Sequence, residues 1–143
     1  MAVSIPPSRP PTALLRDVRV TREDAFDRVR FEFTNSVPGY AVGYVGRPIT
    51  EDASGREVSV RGARVLRVRM ENALDADLSK EGAPRTYTGP TRISPSTGTI
   101  TELVRTGAFE GVLTWVIGVS SGAPFKVDAL QSPPRLAIDI AHR

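Results

Sequence analysis

The residues best able to do chemistry form a row of arginines. Arg56, Arg61, Arg64, Arg67 and Arg69, opposed only by Glu57, give residues 56–69 a net charge of +4. Guanidinium groups present a planar fork of donors that matches carboxylate and phosphate oxygens. A strand hairpin displaying this row would therefore hold the acidic groups of an anionic polymer, although such a row also serves as a solvated face that protects a sheet edge. Aromatic side chains do not interleave with the arginines, unlike single-strand nucleic-acid platforms, where bases stack on successive rings. No nucleic-acid partner is expected. Tyr40, Tyr44 and Tyr87 add rings with one apolar face and one hydrogen-bonding tip, suited to a sugar or a protein partner. Tyr87 stands in a polar stretch and is expected to be exposed. The candidate ligand-binding residues are Tyr40, Tyr44, Arg64, Arg67 and Tyr87.

Catalytic chemistry has few routes open. The chain has no cysteine and one histidine, His142, which removes thiolate nucleophiles, cysteine zinc sites, multi-histidine metal sites and an interior Ser-His-Asp triad. None of the glycine-rich phosphate loops, the nucleophile elbow or the H-E-x-x-H zinc pattern occurs. A hydrolase would have to rely on carboxylates such as Glu110 near Trp115, or Asp75, Asp77 and Glu81. It would need a protonated and an ionised acid about 5 to 9.5 Å apart. The same three acids lack the glycine turn and full ligand spacing of a calcium loop. Solvated loop and strand-end carboxylates are their simpler role, so no enzymatic activity, metal or cofactor is expected.

The elements that must position these residues are strands. At 143 residues the chain fits one domain, and with 40% hydrophobic residues it can bury a core without staples. Nineteen basic residues, 17 of them arginine, against 16 acidic ones give a net charge of +3. The first dozen residues hold four of the 12 prolines and no hydrophobic period, so residues 1–13 are expected to form a flexible, polyproline-like tether. No secretory signal pattern is visible there, so the protein is expected either to be cytoplasmic or to start after processing. The longest strongly apolar run, residues 112–119, is far short of the roughly 20 residues of a membrane helix.

From Leu14 the hydrophobic period is two, the mark of strands with one buried face. Residues 28–33 alternate Val29, Phe31 and Phe33 with charge, and pair as a hairpin with 14–20, with Phe26 tucked beneath the loop. Residues 40–45 place Tyr40, Val42 and Tyr44 on one side. Residues 56–60 and 64–70 read as neighbours joined tightly at Arg61–Gly62. Residues 72–98 form a long loop anchored by Leu74, Leu78, Tyr87 and Ile93, with a helical turn expected at 73–79. Strands return at 100–106, 111–119, 124–130 and 135–140, with Trp115 buried between Leu113 and Ile117. Eight to nine short, mostly antiparallel strands and no long amphipathic helix predict an all-β sandwich or a small barrel, a single domain over 14–141.

Two stretches are specific enough to compare with known families: AFDRVRFEF at 25–33, and TGAFEGVLTWVIGV followed by APFKVDALQSPPRLAIDI at 106–140. They resemble the AMIN-like domain of actinobacterial lipoproteins and secreted proteins, a relative of the AMIN domain of cell-wall amidases and type IV pilus secretins. The resemblance implies an extracytoplasmic, noncatalytic β-sandwich that localises or binds at the cell envelope. It implies peptidoglycan as the partner, and the arginine row adds an attached anionic wall polymer as the other candidate. An alternative partner is another envelope protein, recruited through an open sheet edge. No ligand-contact motif of the family carries over residue by residue.

Overall fold

Period-two alternation becomes buried and exposed faces strand by strand. In Phe26–Thr34, for example, Asp27, Val29, Phe31 and Phe33 are buried while Arg28, Arg30 and Glu32 face outward. The computed structural model describes residues 2–5 and 11–142, so residues 1 and 6–10 of the expected tether lie outside the described residues. Among the described residues thirteen strands follow in order: β1 Ala2–Ile5, β2 Ala13–Arg22, β3 Phe26–Thr34, β4 Gly39–Val45, β5 Ile49–Thr50, β6 Glu57–Val58, β7 Arg64–Glu71, β8 Ala73–Leu74, β9 Arg92–Ile93, β10 Ile100–Phe109, β11 Val112–Val119, β12 Phe125–Gln131 and β13 Pro134–Ala141. The eight strands of seven or more residues match eight of the nine segments read from the sequence.

Two sheets pack face to face. The larger has the order β1-β4-β7-β11-β10-β9 and the smaller β12-β13-β3-β2-β8, with β5 and β6 as a separate ribbon. Every pairing is antiparallel except β2 with β8. The expected hairpin of 14–20 with 28–33 is present as β2–β3. The fold is all-β, as the alternation predicts, and no helix among the described residues is long and apolar enough to cross a membrane.

The core lies between the sheets. Tyr40, Val42, Leu66, Val68, Met70, Leu113, Trp115 and Ile117 from the larger sheet meet Leu15, Val29, Phe31, Phe33, Leu136 and Ile138 from the smaller. Trp115 is fully buried and makes edge-to-face contacts with Phe31 at 5.9 Å and Tyr87 at 5.8 Å. Each such pair adds about 0.5–1.5 kcal/mol to the gain from burial alone. A smaller cluster of Ile49, Val60, Val65, Val104 and Val116 lies on the outer face of the larger sheet, where β5 and β6 contribute Ile49 and Val58. Gly118 is needed there, because a Cβ at that position would collide with the Arg61 carbonyl.

Several expectations are corrected. Ala2–Ile5 is a strand on the edge of the larger sheet, paired with β4, because an extended segment satisfies its backbone there whatever its side chains. Residues 56–60 do not pair with 64–70. Only Glu57–Val58 is strand and it joins β5, leaving β7 between β4 and β11. No helical turn forms at 73–79: Ala73–Leu74 pairs with β2, and Leu78 is 66% exposed instead of serving as an anchor. Phe26 opens β3 half-buried, with the Arg28 guanidinium 5.2 Å over its ring.

Candidate functional site

The arginine row does not survive folding as a row. Arg64 begins β7, on the strand face shared with Leu66 and Val68, but it lies at the end of the sheet, where the core gives way to solvent. Arg67 and Arg69 alternate onto the opposite, outer face. Arg61 donates to Ser94 Oγ at 2.6 Å and lies 3.8 Å from Glu102, which also takes Arg92 at 3.0 Å. Burial disfavours charge on Glu102, but the Arg61 amide and the Arg92 and Arg61 guanidiniums outweigh it and hold the carboxyl below its usual range. Arg61 therefore has a structural partner, whereas among the described residues no carboxylate lies within ion-pair distance of Arg64, Arg67 or Arg69.

The tyrosines part company too. Tyr40 is buried in the core, and Tyr87 is 3% exposed, against the expectation that it faces solvent. Tyr87 packs on Trp115 and donates its hydroxyl to the Pro90 carbonyl at 2.6 Å, and burial, aided by the charge of Asp17, raises its pKa. A polar sequence around Tyr87 conceals this, because the loop folds its one large ring inward. Tyr44 alone keeps partial exposure.

Tyr44 and Arg64 meet in an open cleft of about 430 Å³, lined also by Gly122, Ala123, Pro124 and Phe125. The Arg64 guanidinium carbon stands 4.9 Å from the centre of the Tyr44 ring, a cation–π contact. Phe125 meets the same ring edge-on at 5.7 Å. The Tyr44 hydroxyl donates to the Ala123 carbonyl at 2.6 Å, which fixes the ring in place. Gly122 leaves room for the arginine, since a Cβ there would sit 3.1 Å from its Nη1. An apolar depression formed by Ala25, Phe26, Pro124, Phe125 and Ala141 continues from the cleft and is bordered by Lys126 and Asp139. Phe125 opens β12 just after the Ser121–Gly122 turn and is half-buried at this rim. Arg67 lies in a different hollow, with Arg69, Phe109, Glu51, Asp52 and Glu110. The structure thus unites Tyr44 with Arg64 and separates both from Arg67, Tyr40 and Tyr87.

The acids on which a hydrolase would have had to rely are placed as follows. Asp75 is buried and takes Arg105 Nε at 2.5 Å and Arg85 at 3.5 Å. Asp77 accepts from the hydroxyl and amide of Ser79, which lowers its pKa. Glu110 sits at the β10–β11 turn with φ of 52°, while Trp115 is fully buried. No three acid or histidine side chains among the described residues gather as metal ligands. Asp27 is fully buried at the start of β3 and lies 2.8 Å from His142 Nε2.

The AMIN-like domain family model matches residues 13–142, nearly all of the sandwich. The chain belongs to the AMIN-like family. The resemblance carried by residues 25–33 and 106–140 is thereby borne out. No significant match is found among curated proteins or solved structures. AMIN-like domains occur in extracytoplasmic envelope proteins and are generally noncatalytic binding modules, so membership points to a cell-wall-associated binding module.

Proposed function

We propose that this AMIN-like domain is an extracytoplasmic, noncatalytic module that binds peptidoglycan or an attached anionic wall polymer through the Tyr44–Arg64–Phe125 cleft. The observation that carries the reading is the Arg64 guanidinium held over Tyr44 in a cleft lined by no acidic residue. Wall glycans offer apolar sugar faces beside carboxylates or phosphates, and the cleft offers aromatic edges beside a fork of donors. Tyr44 and Phe125 provide the surface for the sugar, and Arg64 provides the charge-assisted hydrogen bonds for its acidic substituent. The hollow containing Arg67 is less suited to an anion, because Glu51, Asp52 and Glu110 share its lining.

The test is co-sedimentation of the purified chain with sacculi, with and without their anionic polymers, at low and moderate salt. Retention that falls about tenfold on Arg64→Glu supports the cleft. Loss of retention after polymer removal assigns the charge contact to the polymer, and persistence assigns it to the sugar-peptide mesh. Absence of retention in every condition overturns the reading and favours recruitment of another envelope protein.

A further inference from the structure

The β12 strand forms the outer edge of the smaller sheet, and no strand among the described residues covers it. The Ala141 amide donates to the Pro124 carbonyl, and β12 pairs with β13 without a register shift. Antiparallel strands alternate in the direction of their polar groups. Lys126, Asp128 and Leu130 therefore turn their amides and carbonyls toward β13, and Phe125, Val127 and Ala129 turn theirs toward the open edge.

These unpaired groups admit only antiparallel self-pairings centred on a residue of β12. Centring on Lys126 would set lysine opposite lysine, and centring on Asp128 would set aspartate opposite aspartate. Centring on Val127 sets Lys126 opposite Asp128 of the second copy, twice. Those two positions are non-hydrogen-bonded pairs, in which facing side chains come closest. The same register places Phe125 opposite Ala129, a small exposed residue, and Leu130 opposite Pro124. Leu130 is 40% exposed, and a second copy would cover it with an apolar surface. Within one chain Lys126 and Asp128 already lie 3.7 Å apart, so four charges of alternating sign would line the joint.

We propose that this edge is a homodimer interface: two copies join β12 to β12 about a two-fold axis at Val127, giving one continuous ten-stranded sheet. The proposal rests on the β12 edge and not on the wall-binding reading. Where both hold, the dimer presents two clefts to one polymer and gains avidity without new contacts.

Sedimentation equilibrium of the full chain, from micromolar to millimolar concentration, tests it. The expected result is a reversible dimer. Lys126→Asp and Asp128→Lys, each alone, should raise the dissociation constant at least about tenfold, because each sets like charges face to face. An equimolar mixture of the two variants should restore the dimer as a heterodimer, and so should the double exchange in one chain. Ala129→Pro removes an outward-pointing amide on an edge strand, where proline is tolerated, and should abolish the dimer while leaving circular dichroism unchanged. A monomer at every concentration, or a dimer indifferent to Ala129→Pro, overturns the interface. A dimer lost on Ala129→Pro but indifferent to both charge reversals overturns the register. Sacculus retention of the Ala129→Pro monomer reports on the wall-binding reading independently.

Discussion

Arg64 and Arg105 flank the central strand β11 on its two neighbours, and their surroundings differ sharply. Arg105 meets a buried carboxylate through Nε at 2.5 Å and Nη2 at 3.3 Å, and Asp75 in turn accepts the Thr86 amide through its carbonyl. That guanidinium ties the loop of residues 72–98 to the sandwich. Arg64 instead rests on an aromatic ring at a rim, with no carboxylate among the described residues within ion-pair distance. An arginine whose burial is shared with an acid is a structural element, whereas one supported by an aromatic face at a rim is, on the reading proposed above, the recognition element. The difference arises from where a strand ends and not from residue type.

The largest effect should come from breaking the structural side. Arg105→Ala leaves the Asp75 carboxylate buried without its main partner and should cost about 3–5 kcal/mol in denaturant melts. Binding per folded molecule should hold. Tyr44→Ala should weaken sacculus retention by about tenfold or more while Arg64 remains, because the guanidinium loses its platform. A variant that binds like wild type would show that the ring supports nothing but the fold.

Smaller effects sharpen the contrast. Glu102 has a folded pKa below its ordinary 4.5, so its interactions stabilise the fold above that value and are lost as pH falls through the lowered pKa. Urea melts over roughly pH 3 to 6 should show this loss, and Glu102→Gln should flatten that part of the profile. The double change Arg67→Glu plus Arg69→Glu should shift stability by about 0.5 kcal/mol or less and sacculus retention by less than about twofold. A drop as large as that of Arg64→Glu would transfer the site to the outer hollow.

Much of the fold was legible because strand alternation is a local property. Leu66, Val68 and Met70 on one side of β7, and Leu113, Trp115 and Ile117 on one side of β11, are buried as their spacing predicts. Residues 56–60 misled, because a short alternating run does not state its partner, and Glu57–Val58 found β5 instead of β7. Tyr87 misled for a related reason. Its neighbours are polar, yet its ring fills the space beside Trp115, a contact between residues far apart in sequence.

By itself the sequence determined an all-β sandwich, the eight long strands, the core faces and the family, because alternation and segment identity are written along the chain. Only tertiary structure decided which arginines became available. Strand order and strand ends brought Arg64 onto Tyr44 and Arg105 onto Asp75, and sent Arg67 to the opposite face. Desolvation and pairing act on neighbours in space, so the chemistry of a charged side chain is fixed only when the sheets close.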